Sequence, residues 1–342
     1  MSAEWLPLAA AAAVAFSLLC YVLLDGTDLG VGMLVPLTPD ERDRQTLVYS
    51  LLPIWDGNET WLVLGAAALL AMFPQVYGAV LTALYIPVFL MLLALIVRGV
   101  LLEYRDHFTP RIRRATDIAL GVASGLAPFS QGASLGVLLD GLDVSAPERS
   151  LWAAFAFYPA MCGLAMVLTT LWLGAGWTMW RTTDRLQRKA RQWAWIMAPI
   201  AWAASLLAIA GALLLVQDHR PLFSDRHPAW YWIFSGALMV GVGSMALFVA
   251  ALYRRRAWLP LAGMLGWVTG VYMVGLCLVF PLLAPPSVDI FGASVSPLSQ
   301  TFVLVGFGLF VPLTLAYSTY SFWIFKGKVQ RAPVRSQDDA QR

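Results

Sequence analysis

Apolar residues in this chain come in long runs rather than alternating with polar ones. Nine such runs can be drawn, over about Leu6–Pro36, Leu51–Phe73, Val76–Leu102, Ala115–Leu139, Leu151–Trp180, Trp193–Val216, Trp230–Tyr253, Trp258–Leu283 and Leu298–Phe325. Each reaches the ~20 residues that a helix rising ~1.5 Å per residue needs to cross ~30 Å of hydrocarbon. No water hydrates the backbone at that depth, so each segment must pair its own N–H and C=O groups, which predicts helices. The period-two pattern of barrel strands does not occur. The expected fold is an all-α integral membrane protein with nine transmembrane helices, forming one helical domain over 1–326 and followed by a polar tail over 327–342.

Composition agrees with this reading and removes others. Of 342 residues, 59% are hydrophobic and 13% are charged, against roughly 25% charged in soluble domains. Disordered chains are poor in apolar residues, so disorder is excluded too. The three cysteines, Cys20, Cys162 and Cys277, lie far apart inside apolar runs and read as packed thiols rather than a disulfide framework. Met1–Pro7 carries no Lys or Arg, so it lacks the basic start of a secretory leader, and the first run is expected to be a retained helix.

The positive charges give the orientation. With the N-terminus outside, the inner links and tail hold 20 of the 23 Lys and Arg residues. They fall as Arg42 and Arg44; Arg98, Arg105, Arg111, Arg113 and Arg114; Arg181, Arg185, Arg188, Lys189 and Arg191; Arg254–Arg256; and Lys326, Lys328, Arg331, Arg335 and Arg342. Only Arg149, Arg220 and Arg226 lie outside. Cytoplasmic links are enriched in Lys and Arg, so the N-terminus is expected outside and the C-terminus inside. The net charge of +3 implies no nucleic-acid partner, and the short links leave no room for a soluble nucleotide, flavin or iron–sulfur domain.

Against that apolar background the acids stand out. Asp25 and Asp28 lie three apart near the inner part of the first helix, and Asp56 and Glu59 lie three apart at the start of the second, in Trp55-Asp56-Gly57-Asn58-Glu59-Thr60-Trp61. Residues three apart share a helix face. The third helix returns to the same side with Arg98 and Glu103. Six ionisable groups, Asp25, Asp28, Asp56, Glu59, Arg98 and Glu103, are therefore expected to converge near the inner leaflet. A carboxylate at the centre of a spanning helix costs roughly 2.5–3.5 kcal/mol, and intramembrane acids commonly relay protons. The competing explanation is interfacial charge that pairs with Arg98 or reaches the headgroups.

The histidines His107, His219 and His227 all fall in or beside links. A haem held in a helical bundle usually needs a histidine within it, so no haem is expected on this chain's own ligands. No metal site is expected: His219 and His227, with Asp218 and Asp225, read as a solvated loop. Trp193, Trp195, Trp230, Trp232 and Trp258 form an aromatic belt on which a quinone can stack.

Asp25-Gly26-Thr27-Asp28-Leu29-Gly30-Val31-Gly32 and the Trp55–Trp61 run resemble the two signature segments of subunit II of the cytochrome bd-type quinol oxidases. Phe73-Pro74, Tyr77, Tyr85-Ile86-Pro87, Arg98-Gly99, Phe280-Pro281, Pro286-Ser287, Ser299-Gln300 and Tyr317–Trp323 continue the resemblance over essentially the whole chain. Thr27 and Thr60 depart from the usual aromatic and valine, and neither replaces a carboxylate. The short link between the sixth and seventh helices, with the 280–321 stretch, looks most like the cyanide-insensitive branch.

The resemblance implies two four-helix bundles plus one peripheral helix, in a bacterial inner membrane. It implies a heterodimer with a subunit I that carries haems b and d and oxidises membrane quinol while O2 is reduced to water. It further implies a cytoplasmic proton path through Asp25, Asp28 and Asp56, supported by Trp55, Glu59, Arg98 and Glu103. Asp25 and Asp56 are expected to matter most, and Asp28 less if it mainly pairs with Arg98. A structural quinone, lipid and small single-helix subunits are further partners of such complexes. Two other readings use the same acids: a proton-coupled secondary transporter, for which the inverted repeats and broken helices of that class are not evident, and a purely structural subunit. The charge split makes a direct prediction. A reporter enzyme active only outside the cytoplasm is silent when fused after Lys326 and active when fused near Asp143; the reverse pattern overturns the nine-helix orientation.

Overall fold

The computed structural model describes residues 5–142, 145–219, 228–254, 256–324 and 327–330. Asp143, Arg220, Asp225, Arg226, His227, Arg255, Lys326 and the tail from Arg331 lie outside the described residues, as do the side chains of Arg149, Asp218 and His219. The chain is an all-α membrane protein, with eight helices long and apolar enough to cross a bilayer among the described residues. In chain order the helices are α1 (Trp5–Leu37), α2 (Glu41–Leu51), α3 (Trp55–Met72), α4 (Pro74–Ala83), α5 (Tyr85–Tyr104), α6 (Pro110–Asp140), α7 (Phe157–Arg181), α8 (Asp184–His219), α9 (Pro228–Tyr253), α10 (Leu259–Val279) and α11 (Pro297–Ile324).

Three boundaries differ from the apolar runs, each at a proline or a polar cluster. The expected single helix over Val76–Leu102 is two helices that break at Leu84. Continued through that point, the helix would drive the ring of Pro87 into the carbonyl of Ala83. The run from Leu51 becomes helical again only at Trp55, past Pro53. Of the 18 residues of α3, Asp56, Asn58 and Glu59 make its first turns polar, so it is not among the eight apolar spans. Finally, α10 stops at Val279, because Pro281, Pro285 and Pro286 supply no N–H to extend it. The chain there forms a small antiparallel hairpin, β1 (Leu282–Ala284) with β2 (Val288–Asp289), that the apolar pattern did not foretell.

Packing centres on α1 and α7. Helix α1 lies against α3, α6 and α7, and α7 lies against α6, α8 and α10. Gly30 and Gly174 meet where α1 crosses α7: a Cβ on either would run into the other helix's backbone. Small residues at a crossing let two membrane helices approach closely, the main source of association energy where lipid tails are as apolar as leucine. Between α7, α8, α9 and α10 the gap is filled by Trp172, Trp202, Phe248 and Trp267; Trp172 meets Phe248 edge to face at 5.0 Å and Trp202 at 5.8 Å. Helix α11 lies against α1 and α3 and buries only Gln300 and Ser318. Cys20, Cys162 and Cys277 form no disulfide with one another.

The Gly30–Gly174 contact predicts a selective sensitivity. Gly30→Val lowers the melting temperature of the purified protein, because overpacking costs typically ~1–3 kcal/mol and here the obstruction is backbone. Gly243→Ala, whose added Cβ meets nothing, leaves it unchanged. Equal melting temperatures for Gly30→Val and the wild type would contradict the packing.

Candidate functional site

Asp25 sits deep in α1. It lies 12 residues before Leu37 and 20 after Trp5, about 18 Å and 30 Å from the two ends. Asp25, Asp28 and, across from them on α5, Arg98 are all fully buried. Arg98 Nη1 donates to Asp25 Oδ1 at 2.6 Å. The same nitrogen lies 3.5 Å from Glu59 Oε1, and Nη2 lies 4.0 Å from Asp28 Oδ2. Asn58 Nδ2 donates to Asp28 Oδ2 at 2.6 Å. Three carboxyl groups from α1 and α3 therefore surround one guanidinium from α5. Among the described residues, Arg98 Nε and Asp25 Oδ2 make no hydrogen bond. One turn before Asp25, the Tyr21 hydroxyl faces its carboxyl and accepts from Gln131 Nε2 of α6 at 2.7 Å.

Helix phase decides which predicted residues join. The inward face of α3 is Asn58, Trp61, Gly65, Ala68 and Met72. Glu59 is one residue past Asn58, about 100° round the helix, and its side chain stays 25% exposed. Asp56 is two residues before Asn58, about 200° away, and is exposed. Glu103 lies five residues after Arg98, about 140° from its direction; it is exposed and accepts from Trp55 Nε1 at 3.2 Å. The six groups expected to converge thus divide. Asp25, Asp28, Glu59 and Arg98 meet in the interior, while Asp56 and Glu103 stand on the surface nearby. Arg98 lies closest to Asp25, with Asp28 at the longer distance. Asn58 was visible in the motif but not singled out; its signal was its place on the apolar face with Trp61 and Gly65.

A second charged cluster went unrecognised in the sequence. It lies about 10 Å further along α5, at seven residues' rise. Asp117 of α6 is fully buried and receives Arg105 Nε at 2.6 Å and Nη2 at 3.2 Å, one on each oxygen. Arg44 Nε lies 2.8 Å from Asp117 Oδ2, and Arg44 donates to the carbonyls of Thr38 and Pro39. Glu41 pairs with Arg44, and its Oε1 lies 3.0 Å from Arg105 and 3.5 Å from Arg113. Helix α2 can present Glu41 and Arg44 because Asp40 caps it, accepting from the N–H groups of Arg42 and Asp43. Only a lone acid at the start of an apolar run, Asp117, hinted at this cluster.

Compared with known proteins, residues 6–325 match the family described as cytochrome bd terminal oxidase subunit II. The chain belongs to this family. It is 25% identical to cytochrome bd-I ubiquinol oxidase subunit 2 of Escherichia coli K12, over 93% of each chain. It is 32% identical to cytochrome bd ubiquinol oxidase subunit 2 of Bacillus subtilis, over 54% of this chain and 56% of that one. A chain of the bd oxidase from Geobacillus thermodenitrificans shares the fold with a TM-score of 0.71, at 18% identity over 94% of this chain and 98% of that one. A subunit II of this kind is part of a haem-containing terminal oxidase of aerobic respiration, is multi-pass in the bacterial inner membrane, and implies a subunit I as partner. The transporter alternative is not favoured.

The two clusters should respond differently to substitution. Asp117→Asn leaves two buried guanidinium groups short of a carboxylate, a loss of about 3–5 kcal/mol for a broken buried pair. It is expected to lower the melting temperature of subunit II while turnover per assembled haem stays near normal. Normal stability of this variant would show that the Asp117 cluster does not hold the helix ends.

Proposed function

We propose that this subunit II carries protons from the cytoplasm towards the haem-bearing subunit I of a quinol:O2 oxidoreductase. The observation that carries the proposal is the charge count at Arg98. Three carboxyl groups, Asp25, Asp28 and Glu59, share one guanidinium in the interior. Arg98 can offset only one negative charge, and an exchangeable proton offsets another at far less cost than an unpaired buried carboxylate. Glu59 is the only one of the three with appreciable exposure, which makes it the natural receiver. Exposed Asp56, one turn before it, collects protons at the surface. Asp28, oriented by Asn58, takes the proton inward, while Asp25 holds Arg98. Trp55 and Glu103 brace the entrance through their hydrogen bond.

The same proposal places nine helices across the membrane, with α3 as the ninth, the N-terminus outside and the C-terminus inside. Helices α1, α3, α5 and α6 form one four-helix bundle and α7–α10 the other, with α11 peripheral; the exposure of most of α11 supports this grouping. The domain is one unit over 1–326 with a cytoplasmic tail over 327–342. Haems b and d belong to subunit I. Supporting this, His107 stands exposed in the turn after α5, away from the bundle interior. Membrane quinol supplies the electrons. Lipid, small single-helix subunits and a structural quinone complete the partners, and an apolar groove of about 490 Å³ between α7 and α8, lined by Leu164, Leu168, Pro199 and Ile200, suits an isoprenoid chain.

Oxygen uptake normalised to haem tests the path. Glu59→Gln and Asp28→Asn keep shape and hydrogen bonding but cannot ionise. Each is expected to slow quinol-driven O2 consumption tenfold or more, about 1.4 kcal/mol in barrier. Asp56→Asn is expected to do less, because water reaches it, and Asp25→Asn to impair assembly by leaving Arg98 unpaired. Full turnover per haem in both Glu59→Gln and Asp28→Asn, with any loss confined to assembly, would leave the acids a purely structural role.

A further inference from the structure

The two acid-bearing clusters account for Arg44, Arg98 and Arg105, yet among the described residues one more arginine is buried. Arg181 closes the last turn of α7 and is only 5% exposed. Its guanidinium carbon lies 5.5 Å from the ring centre of Trp177 and 5.7 Å from that of Trp180. These indoles meet edge to face at 5.1 Å. Trp177 is itself fixed, donating to Ser50 Oγ at 3.3 Å and packing on Phe322 at 5.9 Å. No carboxylate ion-pairs with Arg181 among the described residues, and its buried Nε makes no hydrogen bond. Aromatic faces and the negative end of α7 favour a cation here, but an indole face offers no in-plane acceptor to the N–H fork. A planar guanidinium this covered, with no carboxylate paired to it among the described residues, is matched by an anion with two oxygens.

The surroundings are positive and lie where helices end. Arg185 and Arg188 are exposed on the first turns of α8, and Lys189 lies over Trp193 at 4.8 Å. Residues 327–330 return to the same place: Val329 N donates to Arg181 O at 2.8 Å and Lys328 Nζ to Thr182 O at 3.1 Å. Asp184 is the one acid from Arg181 to Gln217. Trp180, Trp193 and Phe322 give the site the aromatic flank typical of the membrane–water boundary.

We propose that Arg181 binds the phosphate of an anionic phospholipid in the leaflet at this end of α7. The guanidinium fork holds the phosphodiester oxygens, the indoles shield the pair from water, and Arg185, Arg188 and Lys189 select a headgroup of negative net charge. A lipid phosphate is held at the membrane–water boundary by its own acyl chains, beside the aromatic flank, whereas a free phosphate would have to be drawn from bulk water. The site is independent of the proposed proton path, sharing no residue with it.

Native mass spectrometry of the detergent-purified two-subunit complex tests the site, with phosphatidylglycerol, phosphatidylcholine and inorganic phosphate as probes. The wild-type complex is expected to retain phosphatidylglycerol in preference to phosphatidylcholine. Arg181→Met, which keeps the apolar stem, weakens that binding at least tenfold. Arg181→Lys, which keeps the charge and loses the fork, weakens it severalfold and serves if the methionine variant does not assemble. Three results would overturn the proposal: equal retention of phosphatidylglycerol by wild type and Arg181→Lys, equal binding of the two lipids by wild type, or displacement of the lipid by millimolar inorganic phosphate. Release of subunit I by Arg181→Met with lipid retention unchanged would instead make Arg181 a contact for an acidic protein surface.

Discussion

A guanidinium in hydrocarbon must be paired from within the protein, and the arrangement of the first helices follows from that demand at Arg98. The side chain projects from α5 at a depth where no solvent offsets its charge, so α1 must deliver Asp25 and Asp28, and α3 must deliver Glu59 and Asn58. Helix packing alone would tolerate rotation of these elements, because lipid-like side chains pack almost equally well at many angles. The ion pair does not, since a rotation of a few tens of degrees would strand a buried charge. The charged centre thus fixes the phase of three helices, and the Gly30–Gly174 crossing fixes the distance of a fourth.

The two clusters along α5 use the same chemistry to different ends. At Asp117 the charges are nearly matched and the geometry is bidentate, with Arg105 and Arg44 on the carboxylate and Glu41 closing the other side. Such a set is rigid, and it ties α2, α5 and α6 together near their ends. At Arg98 the carboxyls outnumber the cation, and polar atoms of both Arg98 and Asp25 make no hydrogen bond among the described residues. A site with surplus acids and unsatisfied polar atoms sets helix phase as the Asp117 cluster does, and it also has the carboxyls that the proposed proton path requires. The two clusters thus differ in stoichiometry rather than in burial, since both are buried.

Membership of the cytochrome bd subunit II family gives the fold a context that its own residues also express. The bundle of α7–α10 is filled by Trp172, Trp202, Phe248 and Trp267, large rings in the interior of a half that carries no charged cluster of the Arg98 kind among the described residues. Arg181 lies beside its two indoles where α7 ends, at one edge of that half. The first half of the chain therefore handles charge by pairing it internally, and the second presents one buried cation at its edge.

Length, hydropathy and the lopsided placement of Lys and Arg determined from sequence alone that this is a helical membrane protein, because a backbone in lipid has no other way to pair its polar groups. The motif around Asp25, Asp28, Asp56 and Glu59 likewise marked where a buried charged centre lies, since charge inside an apolar run is costly. The sequence did not say which acids meet. Asp56 and Glu59 are neighbours in the chain, yet 60° of helical phase leaves one at the surface and turns the other towards Arg98. Asp117 and Arg105 looked like separate charges at the ends of two helices until the turn between α5 and α6 brought them into a bidentate pair. Helix identity is a local property of the chain and was legible. Pairing across helices depends on the rotation and register of elements packed side by side, and only the tertiary structure decided it.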